Sequence, residues 1–584
     1  MLVYREQRRE AQPARLLGAL RDDLAALTPS SADVHDRAVR ILIDLGVLEA
    51  ALADAVHSEA DGLHPLTDAL RRASVAAGHL LWHSWHGGRE WLGPWAARLH
   101  AAIGAVGALA APARIETSVP EGYAYYGLFP EIYVAAAVRC ARALRAPRVV
   151  CIGIRSIGTS LSAVVTAALE ELGIETLALT VRPRGHPFDR RLCLAPDLAA
   201  RLRDHVNEPV LVVDEGPGLS GSSFAGTARA LSELGWKDER IILLPSWRCD
   251  GATLRSHDAR ARWHRHPQYC AAFEDVWVAT GRLPALAPDT TLTEVSAGAW
   301  RPLVLDDPTR YPAVHPQHER RKLLARPSRA DRAPMLLRFA GLGRYGDAAL
   351  ARARALSASG IVAAPLGLTH GFLIQEFTPG SPVAPGTPRA ELVGTMARYL
   401  AYLRRCHATD AAATPLGSML ATNVREGLGD AAADRLSRRL AELPAPTGEQ
   451  AVALDGRMLP HEWLETPNGY LKADAVDHHD DHFFPGPQDI AWDVAGTCLE
   501  FGLEGPARRD FLERYRRESG DTTIASRLPY CALAYLAFRL GYAEMAAGSL
   551  AGTDDGRRFG RQMKRYRGLL ERELTPHAAP AWEA

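Results

Sequence analysis

The sequence predicts an α/β protein in three parts: a helical N-terminal part, a parallel-sheet domain, and a C-terminal α+β domain. Three observations carry this. Residues up to about 115 are dominated by helical periodicity, as in 34–49 followed by 51–57. Between about 148 and 245, short apolar runs alternate with loops and helix-like stretches, the pattern of buried parallel strands. From about residue 330 a strand-like run, a helix-like run, a second strand and a long amphipathic helix follow in turn. The boundaries expected are 1–115, 116–310 and 311–584.

At 584 residues and 47% hydrophobic content the chain has material for more than one core. A formal net charge of zero gives no basis for nucleic-acid or membrane-surface binding. No apolar run reaches spanning length, and residues 1–10 lack a signal-peptide pattern. The 8 cysteines, with no Cys-x-x-Cys pair, read as free thiols in a reducing compartment. The expectation is a cytoplasmic protein whose partners are small molecules.

In the helical part, a Trp-rich piece at 82–95 either packs at a helix end or domain interface or stacks on a flat ligand. The Tyr-rich segment 119–133, with Glu121 and Glu131, reads equally as a substrate-facing loop or a packed connector. Strands follow at 148–152, 176–181, 210–213 and 240–245, with a helix at 225–234 and a polar helix-like stretch at 247–266. The region 285–310 reads as loop, and 315–322 as a compact cationic turn that either binds phosphate, bridges domains or lies solvated.

The most informative segment is 210–224. Four apolar residues run into Asp214 and Glu215, then into the small residues Ser220, Gly221, Ser222 and Ser223 that open a helix. Loop amides and a helix N-terminus suit a phosphate, while the two acids suit ribose hydroxyls or a hydrated metal. This segment resembles the 5-phosphoribosyl-1-pyrophosphate (PRPP) motif of type I phosphoribosyltransferases, of the kind found in bacterial tellurite-resistance and stress operons. Its loop is about one residue longer than the family pattern, Ser replaces Thr, and Glu215 stands where a second Asp is common. The resemblance implies that Asp214 and Glu215 orient the ribose and that Ser220–Ser223 anchor the 5-phosphate. It implies that Arg155, Ser156 and Gly158, after the 148–152 strand, hold the departing pyrophosphate. Arg182, Arg184 and His186 would form the catalytic flap, with Mg2+ as cofactor and PRPP as substrate.

In the third part, a segment 335–346 that begins as a strand, a strand-like run at 371–377, a helix at 347–359 and the amphipathic helix 391–407 resemble the small lobe and first large-lobe helix of aminoglycoside-phosphotransferase-like kinases, implying a bilobal kinase-like domain that binds ATP. The resemblance places His461 and Asn468 on that family's catalytic-loop His and Asn, Asp481 on its metal-binding Asp, and Arg338 where its strand lysine stands. Glu376 falls in the strand preceding the large lobe. Asn468 and Asp481 would then share Mg2+, and Asp493 would hold the loop in shape. Trp463 would occupy the catalytic Asp position, which puts conventional phosphotransfer in question. An alternative is a dedicated His/Asp metal site within 472–482, drawing on Asp477, His478, His479, Asp480 and His482. The expected function is phosphoribosyl transfer to a nitrogen nucleophile. The alternatives are a PRPP- and ATP-sensing protein without turnover, or a metal-dependent nucleotide hydrolase.

Overall fold

The computed structural model describes the chain apart from residues 5–6, 330, 385, 387, 410–412, 445–450, 477, 485 and 576–584. After β1 (Arg8–Ala11) come α1 (Pro13–Ala25), α2 (Val34–Val56), α3 (Pro65–His86) and α4 (Arg89–Gly107), and the chain returns as β2 (Ile115–Ser118), antiparallel to β1. The stretches read at 34–49 and 51–57 form one helix, since no Gly or Pro separates them. The ends of α3 follow local rules. Pro65 occupies its first turn, the His64 ring accepts the Leu66 amide at 3.2 Å, and Gly87 ends it with a left-handed φ of 80°.

Next, α5 (Pro130–Leu144) leads to β3 (Arg148–Ile154), α6 (Gly158–Glu171) and β4 (Glu175–Val181). A hairpin of β5 (Arg184–His186) and β6 (Asp189–Arg191) follows, then α7 (Pro196–Arg203), β7 (Val210–Val213), α8 (Ser222–Leu234) and β8 (Ile241–Leu244). The four long strands form a parallel sheet in the order β4-β3-β7-β8, with Val150 opposite Val210 and Ile154 opposite Val181. Their side chains alternate between two layers. Val149, Cys151, Leu211 and Val213 face the core shared with α2, α3 and α6, while Val150, Ile152, Val210 and Val212 face α7 and α8. The stretch 247–266 is mostly irregular, with one short helix, His257–Arg262, and a single turn after it.

The division into parts changes in two places. The N-terminal helices are not a domain of their own, because α3 lies directly on α6. A Cβ at Gly78 would stand 2.5 Å from the Ala163 carbonyl oxygen, so only glycine permits this approach. One core then runs through α1–α4, one face of the parallel sheet and the inner face of a second sheet, including Leu337, Phe339 and Phe372. That second sheet begins before residue 310. β9 (Thr290–Glu294), in a stretch expected to be loop, pairs with β10 (Lys322–Pro327). The sheet continues through β11 (Met335–Phe339), α9 (Arg344–Ser357), β12 (Pro365–Thr369) and β13 (Phe372–Glu376), in the antiparallel order β12-β13-β11-β10-β9. β14 (Ser381–Pro382) and α10 (Ala390–Cys406) lead into a helical lobe. It holds the hairpin β15 (Trp463–Thr466) and β16 (Gly469–Lys472), then α11 (Ala491–Glu500), α12 (Ile524–Ser549) and α13 (Asp554–Glu573). Its separate core includes Trp463, Trp492 and Tyr535. No helix among the described residues is long and apolar enough to cross a membrane.

Candidate functional sites

The parallel sheet presents its first site where strand order reverses. From β3 the chain crosses to β4 on one side and then returns to β7 on the other, so the carboxyl ends of β3 and β7 mark the reversal of strand order at which open α/β sheets form a ligand crevice. Asp214 and Glu215 stand at that crevice, half-buried. An Asp214 oxygen accepts the Glu215 amide at 2.9 Å, and Tyr133 donates its hydroxyl to the Asp214 carbonyl at 2.7 Å. The Glu215 carboxylate packs against Gly122, where a Cβ would lie 2.8 Å from it. Burial pushes the Asp214 carboxyl up to about 7. Burial, with the Asp214 and Glu121 charges beside it, pushes Glu215 up to about 8. An acid pair so disfavoured when charged is suited to a cation or to hydroxyl donors.

Around the acids, Gly221 turns the chain with a φ of 68° and Ser222 opens α8. The Ser222 hydroxyl donates to the Pro187 carbonyl at 2.6 Å, so the β5–β6 hairpin, which contains the predicted flap residues Arg184 and His186, rests on the N-terminus of α8. Ser220 lies beside Ser222 at 3.1 Å. Gly158 begins α6 directly behind Asp214. The structure therefore brings Ser220, Gly221, Ser222, Ser223, Asp214, Glu215 and Gly158 to one crevice.

The predicted cations are arranged differently. Arg155 is only 3% exposed, and its guanidinium contacts Asp54 at 2.8 Å and Asp61 at 2.5 Å. Arg182 also pairs with Asp54, and its backbone amide donates to Asp61 at 2.7 Å. Arg184 contacts Asp61 at 3.7 Å and the His57 carbonyl, while His186 is exposed on the hairpin. Asp54 and Asp61, missed in the sequence, sit at and beyond the end of α2 and neutralise the side expected to hold pyrophosphate. Arg155 is thus a buried structural cation here. Ser156 stays half-buried in the adjoining loop.

The Tyr-rich segment 119–133 packs against its neighbours, as expected of a connector. Tyr123 is buried and shares a 2.9 Å hydrogen bond with Ser160, whereas Glu121 and the exposed Tyr126 meet His482 at 2.9 and 3.1 Å. The Trp-rich piece is largely packing: Trp85 lies in the core 5.1 Å from Trp277 and Trp95 stacks on His79, though Trp91 is exposed.

The second site is a cleft between the antiparallel sheet and the helical lobe, lined by Lys322, Arg338, Glu376, Glu462, Asp474 and Asp481 among others. Asp474, just after β16, contacts Lys322 of β10 at 3.1 Å and Arg338 of β11. Although burial opposes its charge, these two cations hold its pKa well below the usual carboxylate range. Deeper, the Lys472 amine lies 2.8 Å from Glu462 and 3.2 Å from Asp455. Tyr399 donates to Asp455 at 2.7 Å. Asp493 accepts the Asp455 and Gly456 amides at 2.8 and 2.9 Å and so braces this loop; burial and the nearby Asp455 raise its pKa.

Here the register read from the sequence changes. Arg338, Glu376, His461 and Asp481 line the cleft, but Asn468 sits exposed in the β15–β16 turn, away from Asp481. Asp481 instead pairs with Arg457 at 2.9 Å. Trp463, set in the place of a catalytic Asp, is fully buried in β15 against Tyr399 and is a core residue. The bracing of residues 455 and 456 by Asp493 marks 455–462 as the loop entering the cleft, about six residues ahead of the expected one. Of the His/Asp cluster, His478 lies near Asp455 at 3.6 Å and His482 faces Glu121, so these two point to different neighbours. Asp477 lies outside the described residues.

No family model and no curated protein matches the chain. Among solved structures it is similar to a choline/ethanolamine kinase family protein of Mesorhizobium loti, at 16% identity over 45% of this chain and 88% of that one, with a TM-score of 0.30. A choline kinase of Streptococcus pneumoniae is similar at 12% identity over 50% of this chain and 98% of that one, TM-score 0.32. A putative fructosamine-3-kinase of Thermobifida fusca is similar at 16% identity over 42% and 89%, TM-score 0.26. By its own strand and helix order, the C-terminal half is an antiparallel sheet with α9 inserted before its last two strands and a helical lobe behind a cleft.

Proposed function

We propose that the chain transfers a phosphoribosyl group from PRPP to a small nitrogen nucleophile at the crevice formed by β3, β7 and α8. The observation that supports this reading is the pair Asp214 and Glu215 at the strand-order reversal, facing the Gly221–Ser222 entry to a helix. The 5-phosphate would lie on the α8 N-terminus, where backbone amides and the helix dipole favour an anion. Asp214 and Glu215 would accept hydrogen bonds from the ribose hydroxyls. Mg2+ fits this acid pair, since a cation relieves the burial and repulsion that raise both pKa values, and it would supply charge neutralisation to the pyrophosphate. In the transfer, the C1–O bond to pyrophosphate breaks, a C1–N bond forms, and the nucleophile releases a proton. The hairpin resting on α8 would exclude water while the anomeric carbon is cationic. Release of Arg182 from Asp54 would free a cation for the pyrophosphate.

The test is a thermal-shift titration with Mg2+–PRPP on the wild type and on Asp214→Asn/Glu215→Gln. A saturable shift lost in the variant supports the site, after which pyrophosphate release is measured across nucleobases. Absence of a shift in the wild type rejects it.

For the cleft, a second reading is nucleotide binding without phosphotransfer. It is favoured by Lys472, whose amine sits between Asp455 and Glu462 where a metal between two carboxylates would otherwise lie. ATP should raise the melting temperature of the protein without ADP formation. Steady ADP production abolished by Asp474→Asn would instead make the cleft a phosphotransferase.

A further inference from the structure

The geometry points to a transition-metal site that clips α3 to the C-terminal end of α6, with His79, His83 and Glu171 as protein ligands. His79 and His83 are four residues apart, so α3 presents both rings on one face. Glu171 closes α6 opposite them. One of its oxygens lies 2.7 Å from His79 Nδ1 and 3.0 Å from His83 Nε2, so three donor atoms converge on one point. The other nitrogen of His79, Nε2, lies 2.8 Å from Glu170. With Nε2–H donating to that carboxylate, Nδ1 carries its lone pair towards Glu171. This carboxylate–histidine arrangement fixes the tautomer and orientation of a metal-bound imidazole.

The rings are held before any ion arrives. His79 stacks on Trp95 with centroids 3.8 Å apart and planes 4° from parallel. Trp91 and Trp95 both flank His83. Gly88 leaves the space beside His83 Nδ1 open, since a Cβ there would fall 2.8 Å from that nitrogen. The histidine side chains are 4% and 10% exposed and that of Glu171 is 22% exposed, giving a dry wall with one wet side for a water ligand. Among the described residues neither Glu170 nor Glu171 makes an ion pair with a lysine or arginine. The cleft differs, because Lys472 already occupies its carboxylates. Two imidazoles and one carboxylate suit a borderline divalent ion such as Zn2+ in a tetrahedral site completed by water.

α6 starts beside Asp214 and ends at Glu171, so the site lies about 20 Å from the acid pair at 1.5 Å per residue. Its role is to fasten the helical layer to the sheet.

The experiment uses the full chain after chelator treatment, titrated with Zn2+ and followed by thermal unfolding, with bound metal counted by elemental analysis. The expected result is a saturable rise in melting temperature with a single equivalent of Zn2+, lost in His83→Ala and in Glu171→Gln but kept in Glu462→Gln. Co2+ should give tetrahedral visible bands in the wild type that Glu171→Gln abolishes, which serves if His83→Ala does not fold. No saturable shift, or the same shift in Glu171→Gln, would mean that the histidines and glutamates form an ion-pair network only, and would overturn the proposal.

Discussion

Replacing Asp214 and Glu215 with their amides should stabilise the protein in alkaline solution. Partial burial, the largest cause for both, lifts Asp214 from 3.8 to about 7 and Glu215 from 4.5 to about 8. In the unfolded chain both lose their protons by about pH 5. Between there and pH 8 the folded state therefore binds more protons, and stability falls as pH rises. At about 1.36 kcal/mol per tenfold change in proton affinity, ionisation costs roughly 4 kcal/mol at Asp214 and roughly 5 kcal/mol at Glu215. Solvent reaching these half-buried carboxyls screens part of both costs, so the pair together comes to on the order of 5 kcal/mol. Near pH 4 only about 1 kcal/mol of this has accrued. Asp214→Asn/Glu215→Gln keeps the shapes and removes both charges. Urea unfolding at about pH 8.5 should show the variant more stable by several kcal/mol, with the gap mostly closed near pH 4. A variant destabilised equally at both values would refute the reasoning, because the acids would then be contributing hydrogen bonds rather than suppressed charge.

Three further outcomes follow from the geometry. Lys472→Met should cost roughly 3–5 kcal/mol in urea unfolding, because it strands Asp455 and Glu462 as buried charges. Asp493→Ala should cost about 2 kcal/mol or more by removing the acceptor of two buried amides, and should weaken any ATP-dependent thermal shift. Gly122→Ala should push the Glu215 carboxylate out of place, weakening the PRPP-dependent shift at least tenfold in apparent affinity (about 1.4 kcal/mol) while the far-ultraviolet circular dichroism stays that of the wild type.

Much of the parallel sheet was legible because β3, β7 and β8 are short, apolar and buried on both faces; 210–213 and its acidic end needed no partner to be read. β9 was not, since Thr290–Glu294 carries one large apolar residue and its strand character comes from pairing with β10. Nor were Asp54 and Asp61: their meaning depends on Arg155, about a hundred residues further on. The cleft loop was set six residues late because a His and an Asn at suitable spacing lie at 461 and 468. A residue's burial decides such a choice, and Trp463 in a strand core and Asn468 in an open turn show their roles only in three dimensions.

Phe129, at the head of α5, stands 4.9 Å from Trp277, 5.6 Å from Phe339 and 6.0 Å from Phe372, joining the parallel-sheet half to the C-terminal half through aromatic rings. A fragment ending before β9 would expose one side of this cluster to water, and a fragment beginning there would expose the other. Neither half is a cassette that can be excised and studied alone. Heating should give a single melting transition, and a protease nick in the 295–321 connection should leave the two pieces associated until denaturant is added.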